Sequence, residues 1–325
     1  MLHRSAVLSL ILLTACSSQI TPIPTLVPAA TFPPPATQTS IPTPEPLPTA
    51  TPIPSVPDFG HIVVISLENK EFGTVIGSIK SPYFNVLGTS NTLLTQYYAI
   101  THPSLPNYLA MIGGSTFGIT SNCEDCFINF PSLPDQIETS GRTWKTYQED
   151  MPSPCFVGDT AVYVQKHNPF IYFDSIRLDA ERCARSIVPL AQLDVDITSL
   201  SMPDFMFITP NLCYSSHSCA LGMSDAWLNT LLDRLVPALD ASGKPYLIVV
   251  TWDEGQGNAT CCGLPEPGGG RIATILISPQ ARRGLQDDTP YTHYSLLKTI
   301  EEAWGLPYLG HAADGSTVLI TRPWK

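Results

Sequence analysis

Positive charge is scarce in this chain: 17 Lys and Arg stand against 28 Asp and Glu in 325 residues, a formal net charge of −11. Binding to a nucleic-acid backbone needs basic clusters, so their lack argues against nucleic acid as a partner. The apolar run near the start, Ala6 to Leu13, is too short to span a bilayer. No internal repeat is evident, and no second linker follows Pro57, so residues 58–325 read as one domain around one sizeable core.

What is present begins with an export pattern. Arg4 supplies the positive start, Ala6 to Leu13 the short apolar core, and Leu13-Thr14-Ala15-Cys16 a lipobox, so residues 1–16 read as a lipoprotein signal with Cys16 as the lipidation site. An ordinary secretory peptide would give the same compartment without the membrane anchor. The expected location is the cell envelope, outside the cytoplasm. Residues 17–57 are dominated by Pro, Thr and Ser with Glu45 as the single charge, too little apolar area to offset ordering entropy, and read as a disordered stalk. Extended as polyproline at ~3.1 Å per residue, such a stalk reaches on the order of 100 Å.

Beyond Cys16 there are eight cysteines, an even number that suits disulfides in an exported chain. Eight allow 105 pairings, and spacing alone does not settle connectivity. The expected set is Cys123–Cys126, Cys155–Cys183, Cys213–Cys219 and the adjacent pair Cys261–Cys262. A zinc site is the rival for Cys123-x-x-Cys126, disfavoured by an oxidising compartment and by the lack of a second pair at zinc-finger spacing.

His61–Leu67 is a nearly continuous apolar run rich in β-branched residues, as expected of a buried parallel strand, and Phe205–Ile208, Tyr246–Val250 and Ile272–Ile277 have the same character. Trp227–Leu239 and Ser295–Trp304 read as amphipathic helices. Such alternation predicts an α/β fold, a mostly parallel central sheet with helices on both faces, in which ligands gather at the carboxyl ends of strands. Glu68 and Asn69 follow the first strand directly, and Asp253-Glu254-Gly255 follows Tyr246–Trp252. With a serine oxygen, these acids and the amide make an oxygen-rich set suited to one hard divalent cation; a solvated turn and a helix cap are the plain alternatives.

That serine is in Thr101-His102-Pro103-Ser104-Leu105-Pro106-Asn107, followed by Tyr108-Leu109-Ala110-Met111-Ile112-Gly113-Gly114. Proline suits a first helical turn, the apolar residues continue the helix, and Gly-Gly stops it, which places Ser104 at the N-cap. Unpaired N–H groups and the positive end of the helix dipole favour an anion there. Simple capping is the alternative for a Ser-x-Pro sequence.

His-Pro-Ser-Leu-Pro-Asn-Tyr-Leu-Ala-Met-Ile-Gly-Gly, with Leu67-Glu68-Asn69-Lys70 upstream and Thr251-Trp252-Asp253-Glu254-Gly255 downstream, resembles the bacterial phosphoesterase family of acid phosphatases and phospholipases C in the alkaline phosphatase superfamily. The resemblance runs from about His61 to Pro307. It implies an alkaline-phosphatase-like fold and metal-dependent hydrolysis of phosphate monoesters through a phosphoserine on Ser104. It also implies a cation, Ca or Mg first and Mn, Fe or Zn as substitutes, held by Glu68, Asn69, Ser104, Asp253 and Glu254. Asn107 and the helix amides would hold phosphate oxygens, and His102 would help position Ser104. Where related enzymes bind a second zinc, the first ligand position here is the neutral Asn211, so His217 and His293 are read instead as phosphate or leaving-group contacts. Lys166 and His167, in Lys-His-Asn-Pro, would neutralise and orient the substrate, with a solvated lysine beside a capping histidine as the even alternative. The chain's shortness favours the acid-phosphatase branch. A phospholipase C-type phosphodiesterase, a phosphoinositide phosphatase and a non-catalytic surface-binding lipoprotein remain the alternatives. The expected partner is a small phosphorylated substrate or a lipid phosphate, and the chain is expected to act as a monomer.

Overall fold

The computed structural model describes residues 56–325; the signal, the lipobox with Cys16 and the stalk up to residue 55 lie outside the described residues. Val56, assigned to the stalk by composition, is buried in the core. One sheet carries the fold. Its strands are β1 (His61–Leu67), β2 (Thr92–Tyr98), β3 (Trp144–Gln148), β4 (Ile187–Pro189), β5 (Phe205–Thr209), β6 (Tyr246–Trp252), β7 (Arg271–Ile277), β8 (Gln286–Asp287) and β9 (Tyr291–Thr292). The spatial order is β4-β3-β5-β1-β6-β7-β2-β8, with β9 also paired to β2.

Every residue of β1, β5 and β6 is buried. A strand with no exposed residue must be covered on both faces, which is why these segments read as continuous apolar runs. Parallel pairing joins β1 to β5 and β6, and joins β3 to β4 and β5. Strand β7, expected from its β1-like character to be parallel, runs antiparallel to both β6 and β2. The apolar run reports burial on two faces, and burial says nothing about direction. The unexpected β2 is interrupted by a register shift between Leu94 and Tyr97, and its polar residues there break the alternation that marks a strand.

The helix expected at Tyr108–Ile112 spans Ser104–Gly113, every residue of it buried, and ends on Gly114 at φ 69°, a left-handed cap that glycine adopts without strain. Its N-cap is Pro103, not Ser104; the serine is the first helical residue. The helix packs against His293–Ala303, and Leu221–Ala241 packs against Pro82–Ser90. All four expected disulfides are formed, which removes zinc from Cys123 and Cys126. No described helix is long and apolar enough to cross a membrane.

Glu301, on the last turn of His293–Ala303, is fully buried. One carboxylate oxygen accepts the Leu309 N–H at 2.9 Å and the other has no partner. Burial pushes its carboxyl up to about 8. Because the folded value exceeds the ordinary one, the stability it confers is complete below the usual carboxylate range and is lost as pH rises towards 8. Glu301→Gln should therefore gain stability over the native chain as pH rises from 5 to 8, by on the order of 1–3 kcal/mol at the upper end. Melting curves across that range check this; a difference independent of pH would contradict it.

Candidate active site

In-register pairing of β1 with β6 sets Leu67 beside Trp252, so the next residues, Glu68 and Asp253, emerge side by side at the carboxyl edge of the sheet. The Asp253 N–H bonds to Leu67 O at 2.9 Å, and Asp253 Oδ1 accepts the Asn69 N–H at 3.0 Å. Asn69 holds φ 55°, a conformation asparagine tolerates, and its side-chain amide donates to Glu68 Oε2 at 2.9 Å. Ser104, at the start of its helix, donates from Oγ within 3.3 Å of both Glu68 Oε2 and Glu254 Oε1. The structure thus brings together the five residues read as a ligand set.

Burial and the neighbouring Asp253 carboxylate push the Glu68 carboxyl well up; burial likewise raises Asp253. Burial, with Asp253 beside it, brings Glu254 to about 7. Three buried acids this close repel one another when ionised, and Asp253 Oδ2 is buried without any hydrogen-bond partner. Among the described residues no three His, Cys, Asp or Glu side chains stand in a ready-made ligand cluster. The fit to a hard cation lies instead in the all-oxygen donor set, its negative charge and the orphan oxygen.

Facing the acids is a cationic border. Lys166 and Lys70 both depress the His217 imidazole, already lowered by burial, and Lys70 donates to Ser216 O at 2.8 Å. His217 is exposed, held at Nδ1 by Ser218 Oγ at 3.0 Å, with its ring 5.8 Å from that of His167. His167 is buried, its Nε2 3.2 Å from Glu68 Oε1, and burial followed by Lys166 and His217 holds it well below the usual histidine range. His167 therefore packs beside Glu68 without adding charge, and its Nε2 makes no hydrogen bond there.

Four candidates sit elsewhere than expected. Asn107 is fully buried; its carbonyl accepts the N–H groups of Ile100 and Thr101, and its amide donates to the carbonyls of Thr101 and Pro103. Nothing is left for a phosphate oxygen, and the residue clamps the segment before Ser104. Asn211 Oδ1 is taken by the N–H groups of Cys213 and Tyr214 and its amide by Asp150, so it shapes the disulfide loop instead of touching substrate. His293 is fully buried behind the site, with Nε2 2.6 Å from Asp253 O and Nδ1 3.3 Å from the Tyr97 hydroxyl. Burial lowers it to about 4, so it is neutral and supports the Asp253 backbone, not the leaving group. His102 bridges Glu254 Oε2 at 2.7 Å and Gly257 O at 3.0 Å. Burial lowers its pKa, but the Gly257 carbonyl and the Glu254 carboxylate outweigh that and leave it raised, so His102 positions Glu254 and not Ser104 directly.

Sequence reasoning missed three residues. Tyr108 bonds Glu68 Oε1 and stacks on His167 with centroids 5.5 Å apart. Its place one turn after Ser104, on the same helix face, was the available signal. Lys70 lay inside a recognised motif without a role. Glu71 accepts the N–H groups of Gln256 and Gly257 at 3.0 Å and Arg271 at 3.1 Å, stapling the loop that carries Glu68 to the loop that carries Glu254. A Cβ at Gly255 would come within 2.3 Å of that carboxylate, and one at Gly270 within 2.8 Å, so both glycines are required for the close approach.

The pattern of the phosphoesterase family matches residues 79–307. A phosphatidylinositol-3-phosphatase of Mycobacterium tuberculosis is 31% identical over 81% of this chain and 83% of its own length. A phosphate-repressible acid phosphatase of Penicillium chrysogenum is 34% identical over 80% of this chain and 63% of its own, and an acid phosphatase of Aspergillus niger 35% over 80% and 62%. The chain thus spans less than two thirds of those two fungal relatives. Among solved structures, an alkaline phosphatase superfamily protein from Vibrio parahaemolyticus superposes with a TM-score of 0.52 at 13% identity, covering 80% of this chain and 72% of that one. A lipoteichoic acid synthase from Listeria monocytogenes gives 0.54 at 11%, covering 82% and 78%; these two show the fold alone. The chain belongs to the phosphoesterase family, hydrolases of phosphoric esters, and is built on the fold of the alkaline phosphatase superfamily.

Proposed function

We propose that this chain hydrolyses phosphate monoesters through a phosphoserine on Ser104. The observation that carries the reading is Ser104 Oγ at a helix N-terminus, bracketed at 3.3 Å by Glu68 and Glu254. Oγ attacks phosphorus in line as the P–O bond to the leaving alcohol breaks; the serine proton passes to a carboxylate that accepts its hydrogen bond, and the departing oxygen takes up a proton. Water then attacks the phosphoserine, releasing phosphate and restoring the serine. Lys70, Lys166 and exposed His217 supply the charge and donors that the phosphate oxygens need as charge shifts in the transition state. A divalent cation held by Glu68, Asn69, Ser104, Asp253 and Glu254 would compensate the three acids and make the serine hydroxyl a better nucleophile. Ca or Mg suits these oxygen donors best.

The Mycobacterium relative's name favours a second reading, a phosphoinositide as substrate, for which a lipid anchor on Cys16 would hold the site near a membrane. Four disulfides and the N-terminal signal pattern support an extracytoplasmic location. Assays with p-nitrophenyl phosphate and bis-p-nitrophenyl phosphate separate the monoesterase from a diesterase: faster turnover of the diester would overturn the monoester assignment.

Ser104→Ala should lower turnover by at least ~10³-fold, because the covalent route is lost, while the melting temperature moves by only a few degrees. A folded variant with near-native turnover would sink the nucleophile assignment. Asp253→Asn should reduce both rate and bound metal, since it removes a charge from the oxygen set. Elemental analysis of the purified variant decides this, and native metal content would take Asp253 out of the ligand set.

A further inference from the structure

A cavity of about 460 Å³ lies against the segment that leads into Ser104, and none of its lining residues has a role in the chemistry above. Ile100 and Thr101 form one wall. Thr101 is three residues before Ser104, at most about 10 Å of chain. The turn carrying Thr116 and Thr120 forms a second wall; it leads to Asn122, whose Oδ1 accepts the Leu105 N–H at 3.0 Å at the start of the Ser104 helix. The third wall is the loop Cys262–Pro267. Its stem at Gly257 is held by His102, the neighbour of the nucleophile segment. The hollow therefore borders both the segment that positions Ser104 and the loop whose stem His102 ties to Glu254.

The lining defines what fits. It includes no Lys or Arg, and its charged pair, His311 and Asp314, is joined at 2.8 Å. A second phosphate would meet a carboxylate and no cation. Leu264 and Ile100, with Tyr294 packed against them, give an apolar floor. Around it Thr116, Thr120 and Ser316 present hydroxyls, and none of these side chains bonds elsewhere among the described residues. An apolar floor under a hydroxyl rim suits a ring with hydrophobic C–H faces and hydroxyl edges. The volume is near the small end of the ~300–1,000 Å³ range of ligand pockets, which admits one ring and excludes a lipid chain.

We propose that this cavity is the leaving-group site and that it takes a neutral ring polyol, a single sugar or cyclitol unit esterified to one phosphate. The inference rests on the phosphomonoesterase reading, so its test includes a readout that needs no turnover. Saturation-transfer NMR with free glucose should show contact with the full chain, lost in Thr120→Trp and Ser316→Trp, which fill the cavity from two exposed walls. In the same proteins the ratio of kcat/KM for glucose 6-phosphate over ethyl phosphate should fall at least tenfold, and glucose 1,6-bisphosphate should be turned over at least tenfold less efficiently than glucose 6-phosphate by the native chain. Absence of glucose contact with the native protein, or an unchanged ratio in both folded variants, overturns the assignment. Were no monoester hydrolysed at all, the phosphatase reading would fall, while glucose contact abolished by both tryptophans would still support the cavity as a polyol site.

Discussion

The parallel, residue-for-residue pairing of β1 with β6 fixes the rest of the site. Because the two strands end level with each other, the acids that follow them cannot avoid meeting, and the cost of gathering Glu68, Asp253 and Glu254 in one buried place is imposed by the sheet. That cost is of order several kcal/mol per buried uncompensated carboxylate. It is sustained because β1 and β6 pair over seven consecutive positions, all of them buried, so that any other register would repack both covered faces at once.

Around that forced encounter the neighbouring groups act on geometry more than on charge. Tyr108 holds Glu68, with His167 stacked on its ring, His102 holds Glu254, and His293 holds the backbone of Asp253 from behind. Each is itself buried or doubly bonded, so the acids are fixed by partners that cannot easily rotate away. Exposed His217 and half-buried Lys166 come from other elements than the acids do. The buried acids and these more open groups thus belong to separate elements of the fold.

Most of the acid cluster was legible because its residues directly follow strands whose apolar runs are unmistakable, so placing the strand placed the acid. The same logic failed for β7, whose composition carries burial but not direction, and for β2, whose bulge hides its periodicity. Asn107 and His293 could be found but not understood. Both are in the right stretch, yet their side chains are spent on backbone groups whose positions only the folded chain defines. Ser104 shows a smaller error of the same kind: proline at position 103 takes the cap, and the serine moves one place into the helix, still within its first turn.

Glu71 has a further consequence, one for the history of the sequence. Its carboxylate occupies the space where side chains at positions 255 and 270 would otherwise be, although it is nearly two hundred residues from each along the chain. A lineage that exchanged the acid for a small residue would relieve the closest clash at position 255 but not position 270, where φ is 86° and the Gly257 carbonyl would still lie 2.9 Å from a Cβ; one that acquired a side chain at either glycine first would evict the acid and leave three N–H groups bare. Position 255 is therefore tied to the acid with a preferred order of change, the acid first, while Gly270 is held by its own backbone as well.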